Sequence, residues 1–394
     1  MRILKNIALV AKRELKRMTS RWLYFLVVLV FPLLSILLFG TLFRQGSPTG
    51  MPIAIVDLDH TATSRKMARA IDASPVLHIT MYLQTEAGAM SQLRTGTIYG
   101  FVVLPKNLQS DILSARQPEI SYYYHNSFLN AGGLMQNNLK LVLQTLSAGI
   151  SIQKREAIGQ ERESIRAQVQ PVQLNTHLLF NPTANYPVYI CTIVLPIILQ
   201  LLILLMTVYC IGIEIKERTS REWMRMSGKS IFTALAGKLL PYTLAFFTLM
   251  MFQNFVLYKL LQVPLNTGAG WLMLSSLLFV LAYQAIGVFC IGLLPVMRHA
   301  LNMGAFYGIL AFTLCGFSFP VDSMPSVSQF WAECFPVRHF MHIFQSQVLS
   351  GFELRYSLVS YLCLSLFVLL PLTILFRLKS SLIYQNFIET IHSS

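Results

Sequence analysis

Long uncharged runs of apolar residues dominate the hydrophobic pattern of the chain. Six such runs occupy residues 22–43, 186–213, 239–258, 260–297, 300–321 and 356–376. The fourth run is too long for one span and contains the turn-like stretch VPLNTGAG, so we expect its helix to start near Trp271. A helix of about 20 residues crosses the hydrocarbon core of a bilayer. The pattern predicts six transmembrane helices, at residues 22–43, 186–213, 237–260, 271–297, 300–320 and 356–377.

Residues 44–185, between the first two runs, show a different pattern. Short apolar stretches such as PIAIVD, VLHITMYL and TIYGFVVLP alternate with polar, helix-prone stretches such as TATSRKMARAIDAS. This alternation predicts an α/β domain in which helices cross over a sheet. A long helical stretch, roughly residues 127–170, is expected to carry the chain back towards the membrane.

The segment before the last run is unusually apolar for a loop. Residues 321–353 are rich in Phe, Trp, Met and Val, and are interrupted by Pro325 and Pro336. Two short helices that dip into the bilayer and return would explain this composition. The predicted fold is therefore an α-helical membrane protein. One span precedes an inserted α/β domain, five spans follow it, and a re-entrant helical hairpin comes before the last span.

Charge fixes the predicted orientation. Only 12% of residues are charged, about half the share in soluble domains, so much of the chain is expected in lipid. Sixteen Lys and Arg residues fall in residues 1–21, 214–238, 298 and 377–379, against three in the opposite short loops. Both termini are therefore predicted to be cytoplasmic, with the α/β domain outside. The net charge of +14 is then a topology signal, and no nucleic-acid partner is expected. No cysteine lies in residues 44–185, which argues against a disulfide-stabilised outer domain.

Residues 1–21 form a basic amphipathic pattern. Ile7, Ala11, Leu15, Met18 and Trp22 recur at helical spacing with basic residues between them. The pattern predicts a helix lying on the cytoplasmic surface of the membrane. An ordinary basic tail is the alternative.

Three short stretches contain residue types that are used in nucleotide or metal binding. Gly228, Lys229 and Ser230 match the end of a phosphate-binding loop, but the first glycine of that motif would fall at Trp223. Asp57, Asp59 and His60 follow a predicted strand and fit either a metal or phosphate site or a strand-to-helix turn. His339 and His342 lie one helical turn apart and could share a metal, although no third ligand is evident. We predict no catalytic residues and no metal site.

Four stretches, in this order, resemble the ABC-2 type permeases, the membrane subunits of ABCG-like (type V) exporters. They are IAIVDLDHTATSRKMARAID with the strands after it, LFNPTANYPVYICTIVLPIILQ, EIKERTSREWMRMSGKSIFTALAGKLLPY and GFSFPVDSMPSVSQFWAECFPVRHFMHIFQ. The first resembles the periplasmic domain of bacterial drug-exporter permeases. The third matches a family pattern at Glu217, Arg218, Thr219, Glu222, Gly237, Lys238, Pro241 and Tyr242, and departs from it in lacking the usual glycine before the threonine.

The resemblance implies a docking role for the loop at residues 214–236. In the family this loop forms a short coupling helix that binds a separate ATP-binding subunit. The implied coupling residues are Glu214, Glu217, Arg218, Thr219, Glu222, Trp223 and Arg225. Trp223 is expected to anchor in a groove of the partner, and the glutamates to pair with its basic residues. A solvated loop that serves only topology is the alternative.

The function implied is ATP-driven export of an amphipathic, drug-like or lipid-like molecule from a bacterial inner membrane. ATP and magnesium are expected on the partner subunit and no cofactor on this chain. A second permease half, a homodimer or paralogue, is expected, with Gln200, Asn302, Phe306 and Thr313 as pathway residues. A periplasmic adaptor and an outer-membrane channel are further expected partners. The alternatives are a non-transporting scaffold or sensor, which would not need a docking helix, and a membrane enzyme, for which no catalytic set is found.

Overall fold

The computed structural model describes residues 2–42, 48–114, 116–125, 129–156, 186–317 and 319–384. The chain divides into two compact units, one formed by Met1–Gly46 with Leu178–Ser394, and the other by Ser47–His177. The first unit opens with helix α1 (Arg2–Ser20) and helix α2 (Trp22–Leu42), which contains a π-helical turn at Leu26–Val30.

The second unit contains a small sheet. In chain order it holds β1 (Met51–Asp57), α3 (Ala62–Asp72), β2 (Leu77–Leu83), α4 (Glu86–Arg94), β3 (Gly100–Leu104), α5 (Leu108–Leu113), β4 (Ser121–Tyr124) and α6 (Leu129–Glu156). The strand order is β2-β1-β3-β4, with β1 parallel to β2 and β3, and β4 antiparallel to β3. The predicted alternation of strands and helices is thus present in the described residues.

The central strands of this sheet are apolar because helices cover both faces. Ile53 and Ile55 pack towards α3 and α6, whereas Ala54 and Val56 pack towards α4. A strand that is buried on both faces loses the alternation of polar and apolar residues, as the PIAIVD stretch does. The predicted return helix is observed as α6, and the remainder of that prediction lies outside the described residues.

The first unit continues with helices that are mostly long. They are α7 (Tyr186–Lys216), α8 (Ser220–Met226), α9 (Ile231–Lys259), α10 (Ala269–Leu293), α11 (Met297–Leu314), α12 (Ser326–Glu333), α13 (Pro336–Ile343), α14 (Leu358–Leu369) and α15 (Leu375–Tyr384). Pro325 and Pro336 stand at the starts of α12 and α13, so the two short helices predicted between the last two runs are present. The sequence predicts a cytoplasmic tail at residues 378–394; its first residues lie in α15, and residues 385–394 lie outside the described part of the chain.

Among the described residues, four helices are long and apolar enough to cross a bilayer. They are α2, α7, α9 and α10, and the bent pair Leu358–Thr373 and Leu375–Tyr384 makes a fifth if its two helices form one span. The predicted fifth span is observed as α11, which has only 18 residues and carries Arg298, His299 and Asn302 in its first two turns. The count of six spans therefore stays a prediction.

Two helices extend beyond their predicted bounds. Helix α7 continues beyond residue 213 to Lys216, and α9 begins at Ile231 rather than residue 237. Glu214 therefore lies inside a helix instead of the predicted loop, and both Glu214 and Lys238 are fully buried. A buried charge is stable only when it is paired and hydrogen-bonded, so both residues are expected to have charged partners nearby.

Candidate functional site

A buried cluster of charged side chains joins α1, α7 and α9. We call Arg13, Glu14, Arg17, Glu214 and Lys238 the charge cluster. Lys238 Nζ lies 2.6 Å from Oε2 of Glu14 and 2.8 Å from Oε1 of Glu214. The side chains of these three residues are at most 1% exposed. One ammonium group therefore bridges two carboxylates from helices that are about 200 residues apart in the sequence.

Two arginines of α1 complete the pairing of Glu214. Arg13 Nη1 donates to Glu214 Oε1 at 2.7 Å, and Arg17 donates to the same oxygen. Arg17 and Arg21 also each contact Glu217 at 2.7 Å. The hydrogen bond to Glu217 raises the pKa of Arg21. Burial alone would lower the pKa of Arg13, but the hydrogen bond and charge of Glu214 outweigh it and the pKa is raised.

Neutral groups occupy the remaining positions around the carboxylates. Tyr242 donates its hydroxyl to Glu14 Oε1 at 2.8 Å, and the Thr219 hydroxyl donates to Glu214. Lys238 Nζ also lies 4.9 Å from the ring centroid of Trp223. Buried carboxylates that hold both cations and neutral donors meet the condition under which a buried ion network is tolerated. The cluster therefore acts as a joint that resists separation of its helices.

Close backbone contact brings α1 to the cluster. A β-carbon at Gly237 would lie 2.7 Å from Val10 Cβ and 2.8 Å from the Ile7 carbonyl oxygen. Only glycine permits this approach, which seats α1 directly over the start of α9. The face of α1 that contacts α9 carries Val10, Ala11 and Glu14, whereas the predicted stripe residues Leu15 and Trp22 are exposed. A helix is thus present at Arg2–Ser20; Ala11 of the predicted stripe is buried, and contact of the stripe with the membrane surface stays a prediction.

The structure corrects the predicted environment of three coupling residues. Trp223 is fully buried and donates its indole N–H to the Ala234 carbonyl at 3.3 Å, so the expectation of an exposed anchor is wrong. Glu214 and Glu217 pair with cations of this chain rather than offering free carboxylates to a partner. The apolar side of α8 faces inwards because Trp223 and Met224 fill space between α8 and α9.

Other predicted coupling residues lie at the surface. Arg218, Glu222 and Arg225 are exposed, and Thr219 is half-buried. Arg218 has a φ of 59°, so a non-glycine residue adopts the left-handed conformation in the turn between α7 and α8. The exposed residues together define one polar surface, which we call the α8 surface.

Sequence reasoning missed the role of Glu14. It is the only acidic residue among residues 1–21, and it follows Ile7, Val10 and Ala11 on one helical face. An acid on the apolar side of a basic helix is a signal for a buried ion pair. Lys238 and Tyr242 were noted only as part of a resemblance. In the structure, Lys238 contacts Glu14 Oε2 and Glu214 Oε1, and Tyr242 contacts Glu14 Oε1.

The predicted pathway residues separate into two groups. Asn302, Phe306 and Thr313 share one exposed face of α11 with Ile309. Gln200 instead is fully buried between α7 and α11, where its amide lies 3.5 Å from the Gly308 carbonyl. The structure therefore places three of the four on one surface and the fourth behind it.

The two remaining candidate sites have local partners. Asp57 Oδ1 accepts the backbone N–H groups of Asp59 and His60, and Oδ2 accepts the Ser64 hydroxyl, which favours a turn and helix cap. His339 and His342 have different partners, the Glu333 carbonyl and the Ser360 hydroxyl. Within the described residues, no group of three or more His, Cys, Asp or Glu side chains is arranged to hold a metal ion.

The helices and their buried joint define a multi-pass membrane protein whose N-terminal helix is locked to the ends of two apolar helices. The chain belongs to the ABC-2 transporter family, because the family model described as "ABC-2 family transporter protein" matches residues 21–377. It is 24% identical over 352 residues to the "Probable multidrug ABC transporter permease YbhS" of Escherichia coli K12, with 86% of each chain covered. It is 23% identical over 357 residues to the "Linearmycin resistance permease protein LnrN" of Bacillus subtilis, covering 86% of this chain and 90% of the relative.

Proposed function

We propose that this chain is the membrane subunit of an ATP-driven exporter of amphipathic small molecules, and that the charge cluster transmits motion from an ATP-binding subunit to the membrane helices. The charge cluster is the observation that carries the proposal. It joins α1, α7 and α9 at the point where α8 connects α7 to α9. A joint at this position is needed if a force applied to α8 is to move whole helices.

The mechanism follows from the stiffness of the joint. Thr219, the residue before α8, donates to Glu214, so a displacement of α8 acts directly on the buried carboxylate. Separating Glu14 from Lys238 would leave the Glu14 carboxylate unpaired out of water, at a cost of about 3–5 kcal/mol, whereas Glu214 would keep Arg13 and Arg17. The helices therefore move with α8 rather than apart from it. ATP and magnesium belong to the separate subunit, and neither is required by any residue of the charge cluster.

The α8 surface is the proposed docking surface. It faces the cytoplasm of a bacterium if both chain termini are cytoplasmic, as the distribution of Lys and Arg favours. Arg218, Glu222 and Arg225 carry both signs of charge and set the register of the contact. Trp223 acts from behind this surface by supporting the start of α9.

The exposed face of α11 is the proposed contact with a second permease half. Asn302, Phe306, Ile309 and Thr313 give it a mixed apolar and polar character suited to an amphipathic substrate. The names of the relatives, which refer to multidrug transport and linearmycin resistance, support a drug-like or lipid-like substrate. The second half is this chain or a paralogue. The unit with the sheet is the proposed periplasmic contact for an adaptor that leads to an outer-membrane channel.

The docking proposal is tested with a charge reversal. The chain is co-expressed with its ATP-binding subunit, and Glu222→Arg with Arg225→Glu is compared with Lys259→Glu, which lies at the other end of α9. We expect the double variant to recover at least tenfold less ATP-binding subunit at equal membrane level, and Lys259→Glu to match the wild type. Equal recovery by all three proteins would refute the docking surface.

A further inference from the structure

The last described helix is bonded to the first turn of α8. Ser220 donates its hydroxyl to the Leu382 carbonyl at 2.7 Å, and Arg221 Nε donates to the Ile383 carbonyl at 2.9 Å. Ser220 is fully buried in this contact. A backbone carbonyl oxygen has two lone pairs and can accept a bond from outside its own helix, so a hydroxyl and a guanidinium are suitable donors.

The other end of α15 is seated against α10 at a bend. The axes of Leu358–Thr373 and Leu375–Tyr384 differ by 41°. A β-carbon at Gly292 would lie 2.8 Å from the side chain of Ile374, so the bend rests directly on the backbone of α10. Leu375, Leu378 and Leu382 are buried along the length of α15. The described part of α15 is thus fixed at two places, to α10 at the bend and to α8 at Leu382 and Ile383.

We propose that α15 is a second transmission arm, which couples α8 to the last apolar helix through Ser220 and Arg221. This inference rests on the proposed function. The charge cluster joins α8 to α1, α7 and α9, whereas this arm joins it to α14 and shares no residue with the cluster. Ser220 and Arg221 are positioning residues, because they act through α15 and not on substrate or nucleotide.

Two chain truncations isolate the arm. A stop after Ser381 removes both acceptor carbonyls, whereas a stop after Tyr384 retains them and serves as the matched control. Neither changes a residue of α8. Each is co-expressed with the ATP-binding subunit and reconstituted in vesicles, and both ATP hydrolysis and ATP-driven ethidium transport are measured at equal amounts of complex. For the shorter protein we expect transport per ATP to fall at least tenfold, with recovery of the ATP-binding subunit within twofold of wild type. The longer protein should match the wild type in both.

A second pair of variants leaves α15 intact, in case the shorter protein does not assemble. Arg221→Ala should lower transport per ATP at least threefold without lowering recovery of the ATP-binding subunit, and Arg221→Lys should restore about half of it. Unchanged transport per ATP in both the shorter protein and Arg221→Ala would overturn the proposal. So would loss of the ATP-binding subunit by Arg221→Ala, because Arg221 would then be a docking contact. If the wild-type complex hydrolyses ATP but moves no tested substrate, the proposed function fails and not the arm specifically.

Discussion

Removal of Lys238 is the sharpest test of the charge cluster. Replacing it with Met keeps most of the volume of the side chain but deletes the ammonium that lies 2.6 Å from Glu14 and 2.8 Å from Glu214. Glu214 keeps Arg13 and Arg17, whereas the only described ion pair of Glu14 is the one with Lys238. The cost is therefore mainly that of one unpaired buried carboxylate, about 3–5 kcal/mol.

A thiol-reactive fluorescent dye can report this loss of stability. Cys191, Cys210, Cys290 and Cys315 are free and buried, so they react only as the helices separate. With an unfolding entropy of about 2.1 cal/mol/K per residue, the midpoint of a chain of 394 residues shifts by about 1.2 °C per kcal/mol, so Lys238→Met should lower it by roughly 4–6 °C. Lys216→Met, which removes an exposed lysine from the end of α7, should stay within the error of the wild type.

The double variant Glu14→Gln with Lys238→Met shows whether loss of the ion pair causes the lower stability of Lys238→Met. Glu14→Gln removes the carboxylate charge that Lys238→Met leaves without a cation. The two changes together should therefore lower the free energy of unfolding by less than the sum of the single changes, with a coupling of about 0.5–3 kcal/mol. Strict additivity would mean that Glu14 and Lys238 do not interact. A midpoint for Lys238→Met equal to that of wild type would refute the reasoning outright, because the carboxylate of Glu14 would then need no cation.

The remaining predictions concern the surroundings of the charge cluster and the α8 surface. Gly237→Ala should lower the unfolding midpoint, because its methyl group would overlap Val10, whereas Gly270→Ala, with open space around it, should not; equal midpoints would show that α1 is not seated as described. Trp223→Ala should cost about 3–5 kcal/mol as a buried aromatic truncation, and Trp223→Phe clearly less. If Trp223→Ala instead weakened only co-purification of the ATP-binding subunit, with an unchanged midpoint, its burial would be contradicted. Arg225→Ala, at an exposed position, should keep the unfolding midpoint of the wild type but reduce co-purification of the ATP-binding subunit. Normal co-purification would show that Arg225 is not part of the docking surface.

The apolar runs predicted the long helices well but misjudged where they end. The span at residues 186–213 was ended before its first charge, Glu214, which α7 carries inside it, and the buried pairing of Lys238 within the span at residues 237–260 was not foreseen. The pairing that permits this depends on Arg13, Arg17 and Glu14 of α1, which are about 200 residues away in the sequence. Helical spacing describes neighbours within one element and contains no information on such distant partners.

The error at Trp223 has a related cause. A single aromatic among charged residues fits an exposed anchor as well as it fits a buried support, because both uses need a large apolar side chain. In the structure Trp223 is buried, because the helix α8 has only seven residues and needs Trp223 and Met224 to fix it against α9.

The prediction for α11 depended only on positions within one helix. Asn302, Phe306 and Thr313 were chosen as polar or aromatic members of an apolar run, and their helical spacing was sufficient to place them on one face.

The sequence distance within the charge cluster has a consequence for biosynthesis. Glu14 and Lys238 are separated by 224 residues. At about 5–20 residues per second, the ribosome needs roughly 10–45 s to produce the lysine after it has produced the glutamate. During that interval α1 cannot occupy its final place, and its carboxylate must remain at the water-exposed surface of the membrane. Helix α1, although made before α7 and α9, can therefore be locked only once α9 has been made, and completion of α9 is the event that locks it.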